Sequence, residues 1–168
     1  MALYKNSLCA VRSTEGLSDW FPIKSGVRQG CVLSPLLFIT YMDKITKAAN
    51  DNITELNELL FADDQSIVNT DEEELQQHTT KLNEECKHMN MKISIAKTEV
   101  MKVSRNPGQL NIVIDGTQLQ QTVEFKYLGS IFTQDGRMDR EIESRIMKAN
   151  AVTYQLAPLL TSRTSQTK

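Results

Sequence analysis

The pattern of apolar and polar residues is most informative between residues 59 and 68, where the chain reads Leu-Leu-Phe-Ala-Asp-Asp-Gln-Ser-Ile-Val. Two short apolar runs flank a polar centre, and this pattern predicts a strand, a tight turn and a second strand. Asp63 and Asp64 fall at the bend. We therefore expect both acids at the rim of a sheet, while their apolar neighbours anchor the hairpin in the core.

Two helices are predicted on either side of this hairpin. The first has Ser34 as its N-cap and Pro35 at its first helical position. It is apolar on more than one face as far as Ile45, so we expect it to be deeply buried. The second begins with the capping-box pattern of Thr70 and Glu73, and acids in its first turn suit the helix dipole. The histidines near this second helix are expected to be exposed: His78 and His88.

Short strands and a final helix are predicted in the second half of the chain. The strands are Met91–Ile95, Val100–Val103, Leu110–Ile114 paired with Thr117–Leu119 across Asp115-Gly116, and Val123–Tyr127. The helix runs from about Asp139 to Pro158, with an apolar stripe of Ile142, Ile146, Ala149, Val152 and Leu156. Turns are expected at Asp51-Asn52 and Asn106-Pro107-Gly108, and a polar tail at 161–168. Together these elements predict an α+β fold with an antiparallel sheet, two helices on one of its faces, a small β extension and a terminal helix.

Composition favours an intracellular globular protein. The length of 168 residues suits one domain with a buried core. Three cysteines without Cys-x-x-Cys spacing indicate reduced thiols rather than disulfides or a structural zinc site. No targeting signal separates a nuclear from a cytoplasmic location. No apolar run reaches the length of a membrane span, so we expect no membrane association.

The charge distribution divides the chain into two unlike halves. The net charge of −2 does not have the basic excess that is typical of nucleic-acid-binding proteins. Residues 1–96 hold 9 Lys and Arg against 14 Asp and Glu, whereas residues 97–168 hold 10 against 7. The surface outside the acidic runs can therefore still face a polyanion.

The adjacent acids at the predicted turn are the strongest candidates for chemistry. Two carboxylates about 4 Å apart repel each other by about 4 kcal/mol near a protein surface. Such a pair raises the pKa of one acid or binds a cation, and carboxylate oxygens suit Mg²⁺, with Mn²⁺ as an alternative. Asp is also a common turn residue, so Asp63 and Asp64 could serve the turn alone.

A second candidate is the glycine-containing loop that precedes the first helix. Gly26 and Gly30 enclose Arg28 and Gln29. Glycines allow the backbone to approach a phosphate or a base closely, and the guanidinium of arginine binds phosphate with two parallel hydrogen bonds. A plain turn is the alternative interpretation.

Five motifs follow one another along the chain: Gly26-Val27-Arg28-Gln29-Gly30-Cys31-Val32-Leu33-Ser34-Pro35-Leu36-Leu37-Phe38, Phe61-Ala62-Asp63-Asp64, Lys97-Thr98, Lys126-Tyr127-Leu128-Gly129, and Asp135-Gly136-Arg137 with residues 141–146. In this order they resemble the reverse transcriptases of non-LTR (LINE-type) retrotransposons. The resemblance covers about residues 3–157.

The resemblance implies an RNA-directed DNA polymerase that extends a DNA primer on an RNA template with dNTPs and Mg²⁺. Asp63 and Asp64 match the metal-binding catalytic pair of two-metal nucleotidyl transfer, and Lys97 matches a lysine near the leaving pyrophosphate. Template and nucleotide contacts are implied for Gly26, Arg28, Gln29, Gly30 and Phe61, where Phe61 replaces the more usual Tyr. A primer grip is implied for Tyr127, Leu128 and Gly129. The alternatives are a solvated strand-end lysine at position 97 and a plain strand ending at Gly129.

The resemblance also implies that part of the catalytic site is missing. Two-metal transfer usually requires a third carboxylate opposite the pair. In the family it lies on a strand upstream of the Gly26–Gly30 loop, and Glu15 and Asp19 are not on such a strand. We therefore expect part of a palm at 1–104 and a primer-grip connection with a terminal helix at 105–160, inactive without the N-terminal polymerase portion. The alternative is a non-catalytic palm relic that acts as a scaffold or a nucleic-acid-binding module.

Overall fold

The structure, a computed structural model, describes residues 6–50, 58–105 and 107–161. It combines helices with short strands, which confirms the predicted α+β class. Three expectations fall outside the described residues, namely the turn at Asp51-Asn52, the position of Asn106 and the tail from residue 162 onward. The chain forms two compact units, residues 1–70 with 77–91 and residues 71–76 with 92–168.

Within residues 6–50 and 58–70, the strands of the first unit form three separate antiparallel pairs. Strand β1 (Leu8–Cys9) pairs with β4 (Phe21–Pro22), and β2 (Arg12–Ser13) pairs with β3 (Gly16–Leu17). Strand β5 (Glu58–Phe61) pairs with β6 (Asp64–Ile67), which confirms the predicted hairpin around the two acids. The expectation that its apolar residues anchor it in the core is wrong, because Leu59, Phe61 and Val68 are 53%, 61% and 62% exposed.

Two helices supply the apolar core of the first unit. They are α1 (Ser34–Ala49) and the part of α2 (Glu72–His88) that begins at residue 77. The buried apolar side chains are Met42, Ile45 and Ala49 on α1 and Leu82 and Cys86 on α2. The hydroxyl of Tyr41 donates a hydrogen bond to the carbonyl of Met89, just beyond α2, and so connects the two helices.

Helix α1 differs from its prediction in its cap and in its burial. Ser34 is buried, but its hydroxyl donates to the carbonyl of Arg28 at 2.5 Å, and Leu33 holds the N-cap position without a side-chain hydrogen bond. The prediction of Ser34 as N-cap is wrong because the preceding loop uses its hydroxyl. Leu36 and Ile39 are 62% and 58% exposed, so α1 buries a single stripe rather than several faces.

Helix α2 is capped one residue later than predicted. Oδ1 of Asp71 accepts hydrogen bonds from the backbone N–H groups of Glu73 (2.8 Å) and Glu74 (3.2 Å). Asp71 therefore satisfies donors that a helix N-terminus leaves without intrahelical partners. The predicted capping box at Thr70 is wrong because the helix begins at Glu72.

The two histidines of α2 have opposite environments. His88 is exposed as predicted, with 80% of its side chain accessible. His78 is only 3% exposed, so the prediction for this residue is wrong. His78 lies four and eight residues before the buried Leu82 and Cys86, and this spacing places all three on one stripe of the helix.

The second unit is built around its own cluster of buried apolar residues: Val100, Leu110, Ile112, Ile114 and Leu119, with Leu75, Ile93 and Ile95 packed against them. The side chain of Gln76 links the first turns of α2 to this cluster. Its Nε2 donates to the carbonyl of Val113 at 2.9 Å, and its Oε1 accepts from the N–H of Val113 at 2.7 Å.

Six strands of the second unit also form pairs. Strand β7 (Glu99–Val100) pairs in parallel with β10 (Gln120–Gln121), β8 (Val113–Ile114) pairs with β9 (Thr117–Gln118), and β11 (Glu124–Tyr127) pairs with β12 (Ser130–Thr133). The predicted hairpin across Asp115-Gly116 is confirmed. The strand predicted at 91–95 is not observed, because the carbonyl of Ser94 accepts from the N–H groups of Lys97 and Thr98 and Ile95–Lys97 form a 3-10 turn.

The last helix, α3 (Asp139–Thr161), extends beyond its predicted end. Pro158 lies inside the helix rather than closing it. The proline has no N–H to donate to the carbonyl of Tyr154, so one intrahelical hydrogen bond is lost there without ending the helix. None of the helices in the described ranges is both long and apolar enough to cross a membrane.

Asp71→Ala is expected to lower the free energy of unfolding by about 1 kcal/mol, because the N–H groups of Glu73 and Glu74 lose their acceptor. Urea unfolding followed by circular dichroism measures the change. The matched control is Thr70→Ala, which should change the same quantity by less than about 0.5 kcal/mol. A larger loss for Thr70→Ala than for Asp71→Ala would contradict this assignment of the cap.

Candidate active site

The β5–β6 hairpin carries both predicted metal-binding acids, Asp63 in its two-residue turn and Asp64 as the first residue of β6. Phe61 and Asp64 face each other as the last pair of the ladder, and Ala62 and Asp63 form the loop. The φ angle of Ala62 is +54°, whereas that of Asp63 is negative. Tight two-residue hairpin turns need positive φ values in their loop because only then does the turn match the twist of the strands.

The ladder register separates the hairpin into two faces. Leu59, Phe61, Asp64 and Ser66 lie on one face, and Glu58, Leu60, Gln65 and Ile67 lie on the other. Both acids are exposed, as is Phe61 at 61%. The carboxylates of Asp63 and Asp64 therefore stand at an edge that a hydrated ion or a phosphate can reach.

The chemistry of this turn suits a divalent cation. Two neighbouring carboxylates provide hard oxygen ligands, and Mg²⁺ commonly binds through one or two carboxylates together with water and substrate phosphates. Within residues 6–50, 58–105 and 107–161, no group of three or more His, Cys, Asp and Glu side chains is arranged to hold a metal ion. Asp63 and Asp64 can thus supply part of a coordination shell.

The loop before α1 is shaped by its two glycines and by hydrogen bonds to Arg28. Gly26 and Gly30 have φ angles of +90° and +80°, which other L residues rarely adopt. The Arg28 carbonyl accepts hydrogen bonds from the Ser34 hydroxyl and from the N–H of Cys31 at 3.3 Å. The loop conformation is therefore tied to the start of the helix.

Arg28 and Gln29 are exposed on this loop. The guanidinium of Arg28 donates one hydrogen bond, from Nη2 to the hydroxyl of Ser7 at 3.1 Å. A pocket of about 110 Å³ lies beside the arginine, lined by Ser7, Ile23 and residues 24–28. Ligand sites usually measure about 300 Å³ or more, so this pocket alone does not enclose a nucleotide.

Lys97 and the predicted primer-grip residues belong to the second unit. Lys97 is exposed at the end of the 3-10 turn rather than at a strand end. Leu128 and Gly129 form the two-residue loop between β11 and β12, with φ angles of +48° and +88°. Tyr127 faces Ser130 as the closing pair of that hairpin. The chain therefore turns back at residues 128–129 instead of leaving the sheet.

Glu141 of α3 anchors this second hairpin, and the sequence analysis did not single it out. Its side chain is 3% exposed, and Oε2 accepts a hydrogen bond from the N–H of Ile131 at 2.8 Å. Its Oε1 accepts from Nε of Arg145 at 2.5 Å. The hydrogen bond from Arg145 and then that from Ile131 lower the pKa of Glu141. The spacing of Glu141 and Arg145, four residues apart on a helix, was the available sequence signal.

A group of buried polar side chains in the first unit was also missed. Nδ2 of Asn50 donates to Oε2 of Glu58 at 2.6 Å. Burial lowers the pKa of His78, and the charge of Glu58 opposes this shift. Burial also raises the pKa of the Cys86 thiol, with Glu58 adding to the shift. The charge of Glu58 therefore acts on two residues of α2. The sequence signal for the burial of His78 and Cys86 was their spacing on one helical stripe with Leu82.

Comparison with known proteins agrees with the resemblance noted in the sequence. The family model described as reverse transcriptase (RNA-dependent DNA polymerase) matches residues 2–132. Because the match covers most of the chain, the protein belongs to the reverse transcriptase family.

A retrotransposon protein is among its relatives. The chain is 24% identical over 159 residues to the "Retrovirus-related Pol polyprotein from type-1 retrotransposable element R2" of Nasonia vitripennis. The alignment covers 84% of this chain but 16% of that polyprotein, so the chain spans a small part of its relative. The predicted resemblance to non-LTR reverse transcriptases is confirmed.

Glu141→Gln is expected to lower the urea midpoint at neutral pH, because the amide cannot replace the charged contact with Arg145. A carboxyl whose pKa is lowered by folding stabilises the protein above its ordinary pKa of about 4.5, and this stabilisation is lost as the pH falls through the lowered value. The difference between wild type and variant should therefore shrink in acid. Chemical unfolding from neutral pH down to about pH 2, well below the ordinary pKa of a carboxyl, measures it.

The control for this experiment is Glu143→Gln on the same helix. The side chain of Glu143 is 62% exposed, and its Oε2 lies 3.5 Å from Nη1 of Arg140. Removing the charge of Glu143 should therefore change the urea midpoint little at either pH. A wild-type advantage over Glu141→Gln that stays constant from neutral to acid pH would contradict the charged role of Glu141.

Proposed function

We propose that the chain is part of an RNA-directed DNA polymerase and that its β5–β6 turn is the metal-binding centre for nucleotidyl transfer. The observation that carries the proposal is the exposed two-residue turn, which presents Asp63 and Asp64 side by side at the end of a hairpin. Membership of the reverse transcriptase family supports it. The substrates would be a DNA primer, an RNA template and dNTPs.

Asp63 and Asp64 would hold Mg²⁺, or Mn²⁺ as an alternative. When bound, such ions activate the primer 3′-OH and offset charge on the attacking and leaving oxygens. Both acids are exposed, so solvent and ions can reach them. Phe61, opposite Asp64 in the ladder, would add an apolar surface for the nucleotide.

The remaining predicted residues would bind and orient the nucleic acid. Arg28 would bind phosphate through its guanidinium, while Gly26, Gln29 and Gly30 shape the loop around the template and the incoming nucleotide. Lys97 would offset charge on the leaving pyrophosphate or donate a proton to it. The turn at Tyr127, Leu128 and Gly129 would hold the primer end.

Exposed apolar side chains support the proposal that this segment works inside a longer polymerase. Leu59 and Phe61 on the acid-bearing face of the hairpin are 53% and 61% exposed, and Leu36 and Ile39 of α1 are exposed to a similar degree. Large exposed apolar side chains on one face, as Leu59 and Phe61 are, favour a contact with other protein. We assign residues 1–104 to a palm and 105–160 to the primer-grip connection, with the N-terminal polymerase portion supplied from outside this segment.

The 168-residue chain alone is expected to extend no primer on an RNA template at any Mg²⁺ or Mn²⁺ concentration, because two carboxylates complete only part of a two-metal centre. Within a longer polymerase that carries this segment, Asp63→Asn should reduce dNTP incorporation about a hundredfold or more, because a metal ligand is lost. Primer extension followed by gel electrophoresis measures both.

Asp115→Asn is the matched control, because Asp115 also lies in a two-residue hairpin turn and Asn tolerates its positive φ of +50°. It should retain activity. Incorporation by the isolated chain that disappears in Asp63→Asn would contradict the incompleteness of the site. Full activity of Asp63→Asn in the longer polymerase would contradict the catalytic assignment.

A further inference from the structure

Buried polar atoms without partners gather around the β5–β6 hairpin. Six side-chain atoms of the first unit are shielded from solvent and accept or donate no hydrogen bond within the described part of the chain: Asn50 Oδ1, Glu58 Oε1, Gln65 Nε2, Asn69 Oδ1, and Nδ1 and Nε2 of His78. Native proteins leave few such atoms, so six in one region require a physical explanation.

The strand register places two of these side chains on the same face of the hairpin. Glu58 pairs with Ile67 and Gln65 pairs with Leu60, so Glu58 and Gln65 share the face opposite Asp64. Asn69 follows two residues after the end of β6, and Asn50 is joined to Glu58 by its hydrogen bond of 2.6 Å. We call these four residues the polar layer; they share this side of the hairpin with the apolar Leu60 and Ile67.

His78 brings helix α2 into this polar layer. The imidazole is 97% buried, and the charge of Glu58 acts on it across the interior of the first unit. Burial lowers its pKa, which favours the neutral ring with one N–H donor and one acceptor nitrogen. The layer therefore combines donors, at Gln65 and His78, with acceptors, at Glu58, Asn50 and Asn69.

The energetics favour a hydrated layer. A buried donor or acceptor without a partner costs its full desolvation penalty, and six together would cancel the stability of an ordinary domain. Water can donate and accept at once, and buried waters typically make about three hydrogen bonds to otherwise unsatisfied polar groups. The mixture of donors and acceptors in the layer matches this requirement.

We infer that bound water completes the polar layer and that Glu58 and His78, bridged by this water, act as positioning residues for the turn that carries Asp63 and Asp64. The inference rests on the proposed function for its catalytic meaning. The layer fixes one face of the hairpin, and the other face carries Asp64, so the layer holds the acid at a constant distance from the helices. A metal ion would then meet a preorganised pair of carboxylates.

The test uses the full 168-residue chain and nuclear magnetic resonance. Nuclear Overhauser effects from water to the His78 ring protons should be present, because the bridging water remains bound. In His78→Leu, the amides of Leu59 and Ser66 should lose protection from hydrogen exchange about tenfold, since buried acceptors lose a bridged donor. The Mg²⁺ dissociation constant, read from the amide shifts of Asp63 and Asp64, should rise by about the same factor.

Two further variants separate positioning from simple packing. His78→Gln keeps a donor and an acceptor and should stay within about twofold of wild type in both measurements. His88→Leu changes the exposed histidine of the same helix and should alter neither quantity. If His78→Leu does not fold, Glu58→Gln, which can keep the contact with Asn50 but loses the charge, should show the same loss of protection.

The inference is overturned if water gives no effect at His78 and the Leu variant is protected as well as wild type, because the layer is then dry or irrelevant. It is also overturned if His78→Gln loses as much Mg²⁺ affinity as His78→Leu. If wild-type protein does not respond to Mg²⁺ at all, the proposed function fails. The hydrogen-exchange comparison and the water contacts still decide between a hydrated and a dry layer in that case.

Discussion

The two-residue turn at Ala62-Asp63 is the constraint on which the candidate site depends. The positive φ of Ala62 allows β6 to reverse directly onto β5, and the closing pair of Phe61 and Asp64 leaves no residues over for a longer loop. Two neighbouring acids are thereby held at a solvent-exposed edge, as the proposed cation site requires.

The two faces of the β5–β6 hairpin differ in their side chains and in their exposure. The apolar core of the first unit lies on α1 and α2, and one face of the hairpin carries Glu58 and Gln65, whose shielded polar atoms lack partners among the described residues, beside the apolar Leu60 and Ile67. The face that carries Asp64 exposes Leu59 and Phe61. Under the proposed function, other polymerase residues or nucleic acid would cover the face that carries Asp64. The second unit presents a second two-residue turn, at residues 128–129, which Glu141 holds through the N–H of Ile131.

Local sequence signals predicted the hairpins better than they predicted burial. The turns at Ala62-Asp63 and Asp115-Gly116 follow from short apolar runs around polar residues, and both hairpins are confirmed. Burial depends on contacts made over long distances in the chain, and here sequence reasoning fails: Leu36 and Ile39 are exposed, and His78 is buried. The predictions of the helix caps were wrong for local reasons. The Ser34 hydroxyl donates to the carbonyl of Arg28 instead, and Asp71 lies one residue nearer the start of α2 than Thr70 does. The identity of the site residues came from the order of the motifs, and their roles remain a proposal.

The most direct measurement of the central claim is paramagnetic broadening by Mn²⁺ in the isotope-labelled chain. At low Mn²⁺ concentration, the amide signals of Asp63 and Asp64 should broaden first, while that of Asp115, at the comparable turn between β8 and β9, stays sharp. Broadening that begins instead at the acidic first turn of α2, at Glu72–Glu74, with Asp63 and Asp64 unaffected, would contradict the claim that the hairpin turn is the cation site of this protein.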